Sequence, residues 1–162
     1  MRALEFLAKA CALLAGLLLT TVTLMTCASL IGRNTTGWTL IGDFELTGVA
    51  AGAAIALFLP LGQLKRANII VDFFTQRATA TTRETLDRFG AALLAAAMAL
   101  LTWRSAVGGL SAWETKAETM MLGFPEWPVY AAIVPALALT GVIAAVQAMR
   151  GFGVTGNAEG RA

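Results

Sequence analysis

Residues 10–31 read ACALLAGLLLTTVTLMTCASLI, which is 22 residues without a charged side chain. An α-helix rises about 1.5 Å per residue and a bilayer's hydrocarbon core is about 30 Å thick, so this stretch can cross a membrane. Residues 46–64, 89–113 and 128–149 have the same character, and Arg104 is the one charge among them. Continuous apolarity, without alternation, favours helices over barrel strands. The sequence therefore predicts an all-α membrane protein with four transmembrane helices.

The composition agrees and excludes several kinds of chemistry. Of 162 residues, 57% are hydrophobic and 14% charged, whereas soluble domains have about 45–50% and about 25%. The chain has no histidine, which rules out a Ser-His-Asp triad and a His-ligated metal. We expect no catalytic residue, metal site or cofactor, and therefore no enzyme. A net charge of +2 gives no reason to expect nucleic-acid binding.

The distribution of Lys and Arg predicts the orientation. If both termini and the segment between the second and third spans share one side, that side holds nine of the 12 basic residues: Arg2, Lys9, Lys65, Arg66, Arg77, Arg83, Arg88, Arg150 and Arg161. Arg33, Arg104 and Lys116 remain. Because basic residues are enriched on the cytoplasmic side, we expect both termini there. Residues 1–150 form the predicted membrane domain, and the Gly-rich, polar residues 151–162 a disordered cytoplasmic tail.

The segment after the second span has the pattern of an amphipathic helix. Ile69, Ile70, Phe73 and Phe74 occur at i, i+1, i+4 and i+5, which places them on one helical stripe. We expect a short helix lying flat at the inner membrane interface, with this stripe toward lipid or a partner. The sequence TTRE at 81–84 has the form of a capping box and predicts that the third helix begins there.

Small residues on the second span suggest another contact surface. Gly48, Gly52 and Ala56 are spaced four apart, so they share one helix face. Small side chains allow helices to approach closely in lipid. Together with the stripe of the interfacial helix, this face is a candidate partner interface.

Three charged residues are candidates for contacts on the outer face. Asp43 and Glu45 open the second span, where they suit the positive end of a helix. Arg104 lies inside the third span, where an unpaired charge is costly. One interpretation is structural, with the acids as caps and Arg104 snorkelling or paired with Glu45 or Glu114. The other is that these residues dock a partner or contact a passing anionic substrate.

Two stretches resemble a known family. Residues 58–74, FLPLGQLKRANIIVDFF, are similar to the pattern that follows the second span in the DctQ-like small membrane subunit of tripartite ATP-independent periplasmic (TRAP) transporters. Residues 123–128, GFPEWP, resemble the family's Pro-x-Trp sequence before the fourth span. The matching positions are Pro60, Lys65, Arg66, Asn68 (where many members have His), Asp72, Pro125 and Trp127, and the acids Asp43 and Glu45 match the family's acidic opening of the second span. The resemblance covers residues 5–150.

This resemblance implies a bacterial inner-membrane transporter of three parts. A periplasmic binding protein captures an organic acid, and a large membrane subunit carries the sodium and substrate sites for symport. The small subunit packs against the large one and helps to dock the binding protein. Two alternatives remain open: a self-sufficient four-span transporter working as a homodimer, and a membrane assembly or scaffold protein. The spans lack an embedded carboxylate and a mid-span Gly/Pro break, which favours a subunit over a complete transporter.

Overall fold

Four helices make up the part of the chain that the computed structural model describes, residues 2–37, 42–65 and 80–150. They are α1 (Arg2–Thr35), α2 (Asp43–Leu64), α3 (Ala80–Thr115) and α4 (Trp127–Arg150). All four are long and apolar enough to cross a membrane, which confirms the predicted all-helical architecture with four candidate spans. The predicted interfacial helix and the predicted tail lie outside the described residues, and the structure gives the interfacial helix no support.

The helices extend beyond the apolar stretches that predicted them. α1 has 34 residues and α3 has 36, so they are about 51 and 54 Å long. Both exceed the thickness of a hydrocarbon core, about 30 Å. α3 begins at Ala80, two residues before the start that the capping box predicts. The additional turns carry charged residues, such as Glu5 and Lys9 in α1 and Asp87 and Arg88 in α3.

The spatial order of the helices differs from their order in the chain. α2 packs against α1 on one side and α4 on the other, and α3 packs against α4. α1 also touches α4 at a few positions. The helices therefore form a layer in the order α1, α2, α4, α3, with α2 and α4 central. Large apolar side chains on the flanking helices stay exposed, among them Leu13 (76%) and Leu93 (64%), as expected for surfaces that face lipid or another membrane protein.

The contacts between helices are made mainly by small residues. Ala53 and Ala54 of α2 and Ala136 and Ala144 of α4 are buried. In lipid, helices associate by close packing rather than by the hydrophobic effect, and small side chains permit it. Gly141 of α4 illustrates the fit, since a Cβ atom there would lie 3.3 Å from Cβ of Met98 on α3.

Candidate functional site

The segment between α3 and α4 folds back on itself as a small hairpin, residues 116–126, which we call the α3–α4 hairpin. An isolated β-bridge joins Glu118 to Pro125. Glu126 N–H donates to the Ala117 carbonyl at 3.0 Å, and Thr119 N–H to the Phe124 carbonyl at 2.9 Å. Gly123 closes the turn with a φ of +60°, a backbone conformation that suits glycine. The family-motif residue Pro125 therefore has a structural place in this bridge.

Glu45 of α2 holds the α3–α4 hairpin in place. One carboxylate oxygen accepts the Met121 N–H at 3.0 Å, and the other accepts the Leu122 N–H at 3.3 Å. Leu122 also covers Gly42, where an added Cβ would overlap its side chain. Gly42 has a φ of +84° directly before α2. The carboxylate of Glu45, a docking candidate in the sequence, thus binds the backbone of the hairpin within the chain.

Asp43 joins α1 to α2 at the same end of the layer. Its Oδ2 atom accepts the hydroxyl of Ser29, which is buried, at 2.7 Å. About one turn farther from this end, the hydroxyl oxygens of Thr26 on α1 and Thr47 on α2 lie 3.4 Å apart. Since α1 and α2 are otherwise joined by apolar contacts, these bonds fix the pairing of their ends.

An apolar cavity of about 240 Å³ lies beneath the α3–α4 hairpin, between α1, α2 and α4. Its lining includes Leu18, Val49, Leu122 and Val129. Glu45 is the one charged residue in the lining, and its carboxylate already binds the hairpin. The cavity is therefore lined almost entirely by apolar side chains.

Exposed apolar side chains cluster at the hairpin end of the layer. Met120 is fully exposed and Phe44 is 85% exposed. Trp113 and Trp127 meet edge to face, with ring centroids 4.8 Å apart. Sequence reasoning singled out Trp127 as a motif residue but missed its pairing with Trp113. An aromatic pair at the ends of two spans is typical of a membrane–water interface.

The candidate interface on α2 is open in the structure. Gly48 and Gly52 are exposed, and a Cβ added at either would meet nothing within 4 Å. Ala56 differs, because it is buried within the layer. None of the described helices covers the two glycines, so their role toward a partner stays a prediction.

Sequence reasoning missed a buried amide pair at the opposite end of α2 and α4. Gln63 Nε2 donates to Gln147 Oε1 at 2.7 Å, and Gln147 Nε2 donates to the Gln63 carbonyl at 3.1 Å. Their side chains are 6% and 9% exposed. Pro60 is buried one turn away in α2. The signal was present, since each of these two apolar spans carries a single amide three or fewer residues from its end.

Arg104 stays apart from the other predicted site residues. It is exposed on α3, and within residues 2–37, 42–65 and 80–150 we find no hydrogen bond or ion pair to it. In particular, it pairs with neither Glu45 nor Glu114. The remaining predicted residues of the segment after α2 lie outside the described part: Arg66, Asn68, Ile69, Ile70, Asp72, Phe73 and Phe74. Lys65 is described, exposed, at the end of α2.

A family model described as "Tripartite ATP-independent periplasmic transporters, DctQ component" matches residues 22–153. This range runs from the middle of α1 past the end of α4. The chain belongs to the DctQ family. The resemblance drawn from the two sequence motifs is thereby confirmed, and a DctQ protein is the small permease subunit of a TRAP transporter. Neither the curated proteins nor the solved structures gave a match. Among the described residues of this DctQ subunit, no group of three or more His, Cys, Asp or Glu could hold a metal ion.

Proposed function

We propose that this DctQ subunit is a non-catalytic scaffold in a sodium-driven TRAP transporter that imports an organic acid. In this proposal the large membrane subunit holds the ion and substrate sites, and a periplasmic binding protein delivers the solute. The observation that carries the proposal is the open, apolar layer. Its four described helices enclose no polar pathway, and Arg104 is the one charge in the middle of a span. A carboxylate solute and its ions would need polar groups along their route.

We further propose that the subunit lies in the bacterial inner membrane with both termini in the cytoplasm. The excess of Lys and Arg on one side supports this orientation. The α3–α4 hairpin, with Asp43 and Glu45 beside it, is then periplasmic. Its exposed Met120 and Met121 offer apolar contacts to the binding protein. In this arrangement Glu45 contributes indirectly, by fixing the hairpin that the binding protein meets.

The open face of α2 is proposed as one contact with the large subunit. Because no described residue lies within 4 Å of a Cβ placed at Gly48 or Gly52, we expect larger side chains there to leave the subunit itself intact. We expect Gly52→Leu to reduce recovery of the large subunit while the thermal stability of the isolated DctQ subunit is unchanged. Normal recovery would remove this face from the proposed interface. The segment after α2, with Ile69, Phe73, Asn68 and Asp72, is a second proposed contact, based on its sequence pattern.

Reconstitution tests the proposed function directly. The tagged DctQ subunit is purified from its native membranes in mild detergent, and the bound proteins are identified by mass spectrometry. Proteoliposomes are then made with the large subunit, with and without DctQ, and solute uptake is measured with the binding protein and an imposed sodium gradient. We expect uptake only when all three proteins are present. Uptake by DctQ alone, purified as a homodimer, would contradict the proposal in favour of a self-sufficient small transporter.

A further inference from the structure

One side of α3 carries an exposed stripe that no described helix of this chain covers. Its members alternate in steps of four and three residues, and all are exposed: Leu93, Ala97, Leu100, Arg104, Val107 and Ser111. We call this stripe the α3 seam. Their average spacing of 3.6 residues is that of the α-helix itself, so they form one stripe along its length, against which another helix can pack. Leu93 and Leu100 are each 64% exposed, so the seam has large side chains to offer.

Most of the α3 seam faces away from the part of α3 that packs within the chain, and one edge of it borders α4 at Gly108. α4 contacts α3 through Gly141, which lies against Met98, and through Tyr130, which lies against Gly108 and Gly109. Arg104 follows Ala95, beside Gly141, by nine residues, which at about 100° per residue places it on the opposite side of the helix. The seam thus lies opposite the contact of Ala95 with Gly141, and Tyr130 of α4 approaches only its edge, at Gly108.

Arg104 lies too deep in the membrane for its charge to be left unpaired. The apolar part of α3 runs from residue 89 to residue 113, and its midpoint is residue 101. Arg104 is therefore about 5 Å from the middle of the span, and about 14 Å along the axis from Trp113. Trp113 and its partner Trp127 mark the interface. Long basic side chains snorkel to the interface from helix ends, and this residue is far from one.

We propose that the α3 seam packs against a transmembrane helix of the large subunit, and that an Asp or Glu of that helix pairs with Arg104. This proposal rests on the function proposed above. A guanidinium forms two parallel hydrogen bonds with a carboxylate, which favours Arg over Lys at such a site. A single polar pair within an apolar seam fixes register and orientation. Arg104 thereby selects the large subunit that belongs to this transporter.

Two other occupants fit the observations less well. A second copy of the chain, paired through the same seam by a two-fold axis, would bring Arg104 toward another Arg104, and the seam contains no carboxylate to separate them. A lipid phosphate lies at the level of the interface, about 14 Å from Arg104 along the helix axis. A carboxylate on a partner helix can stand at the depth of Arg104 itself.

Photo-crosslinking in native membranes tests which surface of α3 meets the partner. A photoreactive phenylalanine replaces Leu100 or Ser111 in the seam. Leu110, at the same depth as Ser111 but on another side of the helix, is the matched control. We expect adducts with the large subunit from the two seam positions and few from Leu110. Adducts with a second copy of the chain, or equal yields from all three positions, would overturn the proposal.

Charge variants test the pair itself. Arg104→Glu and Arg104→Leu are expected to lower recovery of the large subunit by about thirtyfold or more, since removing one member of a buried charge pair costs about 2 kcal/mol or more. Arg104→Lys should retain most of the wild-type recovery of the large subunit. Exchanging charges, with Arg104→Glu in DctQ and a Lys in place of the acidic residue on the crosslinked helix, should restore recovery. The proposal would be overturned if Arg104→Leu lost bound anionic lipid and if no charge exchange with an acidic residue restored recovery of the large subunit. Arg104 would then be assigned to a lipid.

The outcomes also separate this proposal from the function on which it rests. If wild-type DctQ recovers the large subunit and Arg104→Glu recovers it equally well, the α3 seam is wrong and the proposed function stands. If wild-type DctQ recovers no large subunit from native membranes, the proposed function itself fails.

Discussion

Removing both members of the buried Gln63–Gln147 pair should destabilise the subunit by less than the sum of the two single removals. Gln147→Met keeps the length of the side chain and deletes both of its hydrogen bonds, at 2.7 and 3.1 Å, to Gln63. A hydrogen bond between membrane helices is worth about 0.6 kcal/mol on average and up to about 1.7. A buried amide that loses its partner adds about 1–3 kcal/mol. We expect Gln147→Met to lower the free energy of unfolding by about 2–3 kcal/mol.

The double variant provides the decisive comparison. When Gln63→Met is added to Gln147→Met, the amide that lost its hydrogen bond to Gln147 is also removed. We therefore expect the loss in the double variant to be smaller than the sum of the two single losses by about 1–2 kcal/mol. Unfolding would be followed by tryptophan fluorescence during SDS titration in mixed micelles. Met149→Leu, at a side chain that is 74% exposed, is the control, with an expected change within about 0.5 kcal/mol. Strictly additive losses would refute the reasoning, because they would mean that the two amides do not depend on each other.

Two further predictions concern the α3–α4 hairpin and the α3–α4 contact. Glu45→Ala removes the acceptor of the Met121 N–H. We expect hydrogen exchange at that amide, measured by mass spectrometry, to become about tenfold or more faster. Unchanged exchange would show that the hairpin keeps its structure without Glu45. Gly109→Ala would place a Cβ 2.8 Å from Cβ of Tyr130, so we expect a loss of about 1–3 kcal/mol of stability in the same SDS titration. Gly48→Ala, where the added Cβ meets open space, is its control, and equal effects at the two glycines would contradict the packing argument.

Helix number could be predicted from the sequence because it depends on the length of apolar stretches. Helix packing could not be predicted in the same way. A span that is apolar on all sides has no polar face, so its sequence does not indicate which side faces away from the other helices. Gly48 and Gly109 show the difficulty. Both are glycines in apolar helices, but one faces open space and the other is pressed against Tyr130. The order α1, α2, α4, α3 is decided by such fits, which depend on coordinates that one sequence does not contain.

The candidate site residues were predicted with mixed success, for a related reason. A charge in an apolar span signals that a partner is needed but does not say where the partner is. The Glu45 carboxylate accepts hydrogen bonds from the backbone N–H groups of Met121 and Leu122. Every residue except proline has such a group, so no sequence pattern identifies these two. Gln63 and Gln147 are also polar side chains in apolar spans, although uncharged, and they bind each other.

The placement of polar contacts explains how such an apolar layer could serve as a scaffold. At the hairpin end, Asp43 binds Ser29 and Glu45 binds the hairpin, while at the other end Gln63 binds Gln147. These bonds join neighbouring helices near their ends, where a small change in angle would otherwise separate them most. The middle of the layer is left to close contacts between alanines and glycines. Polar bonds at both ends hold the helices of this layer together, while its outer faces make no contacts with other described helices and can bind other proteins. Arg104 is the one mid-span charge, and its proposed partner lies outside the described helices.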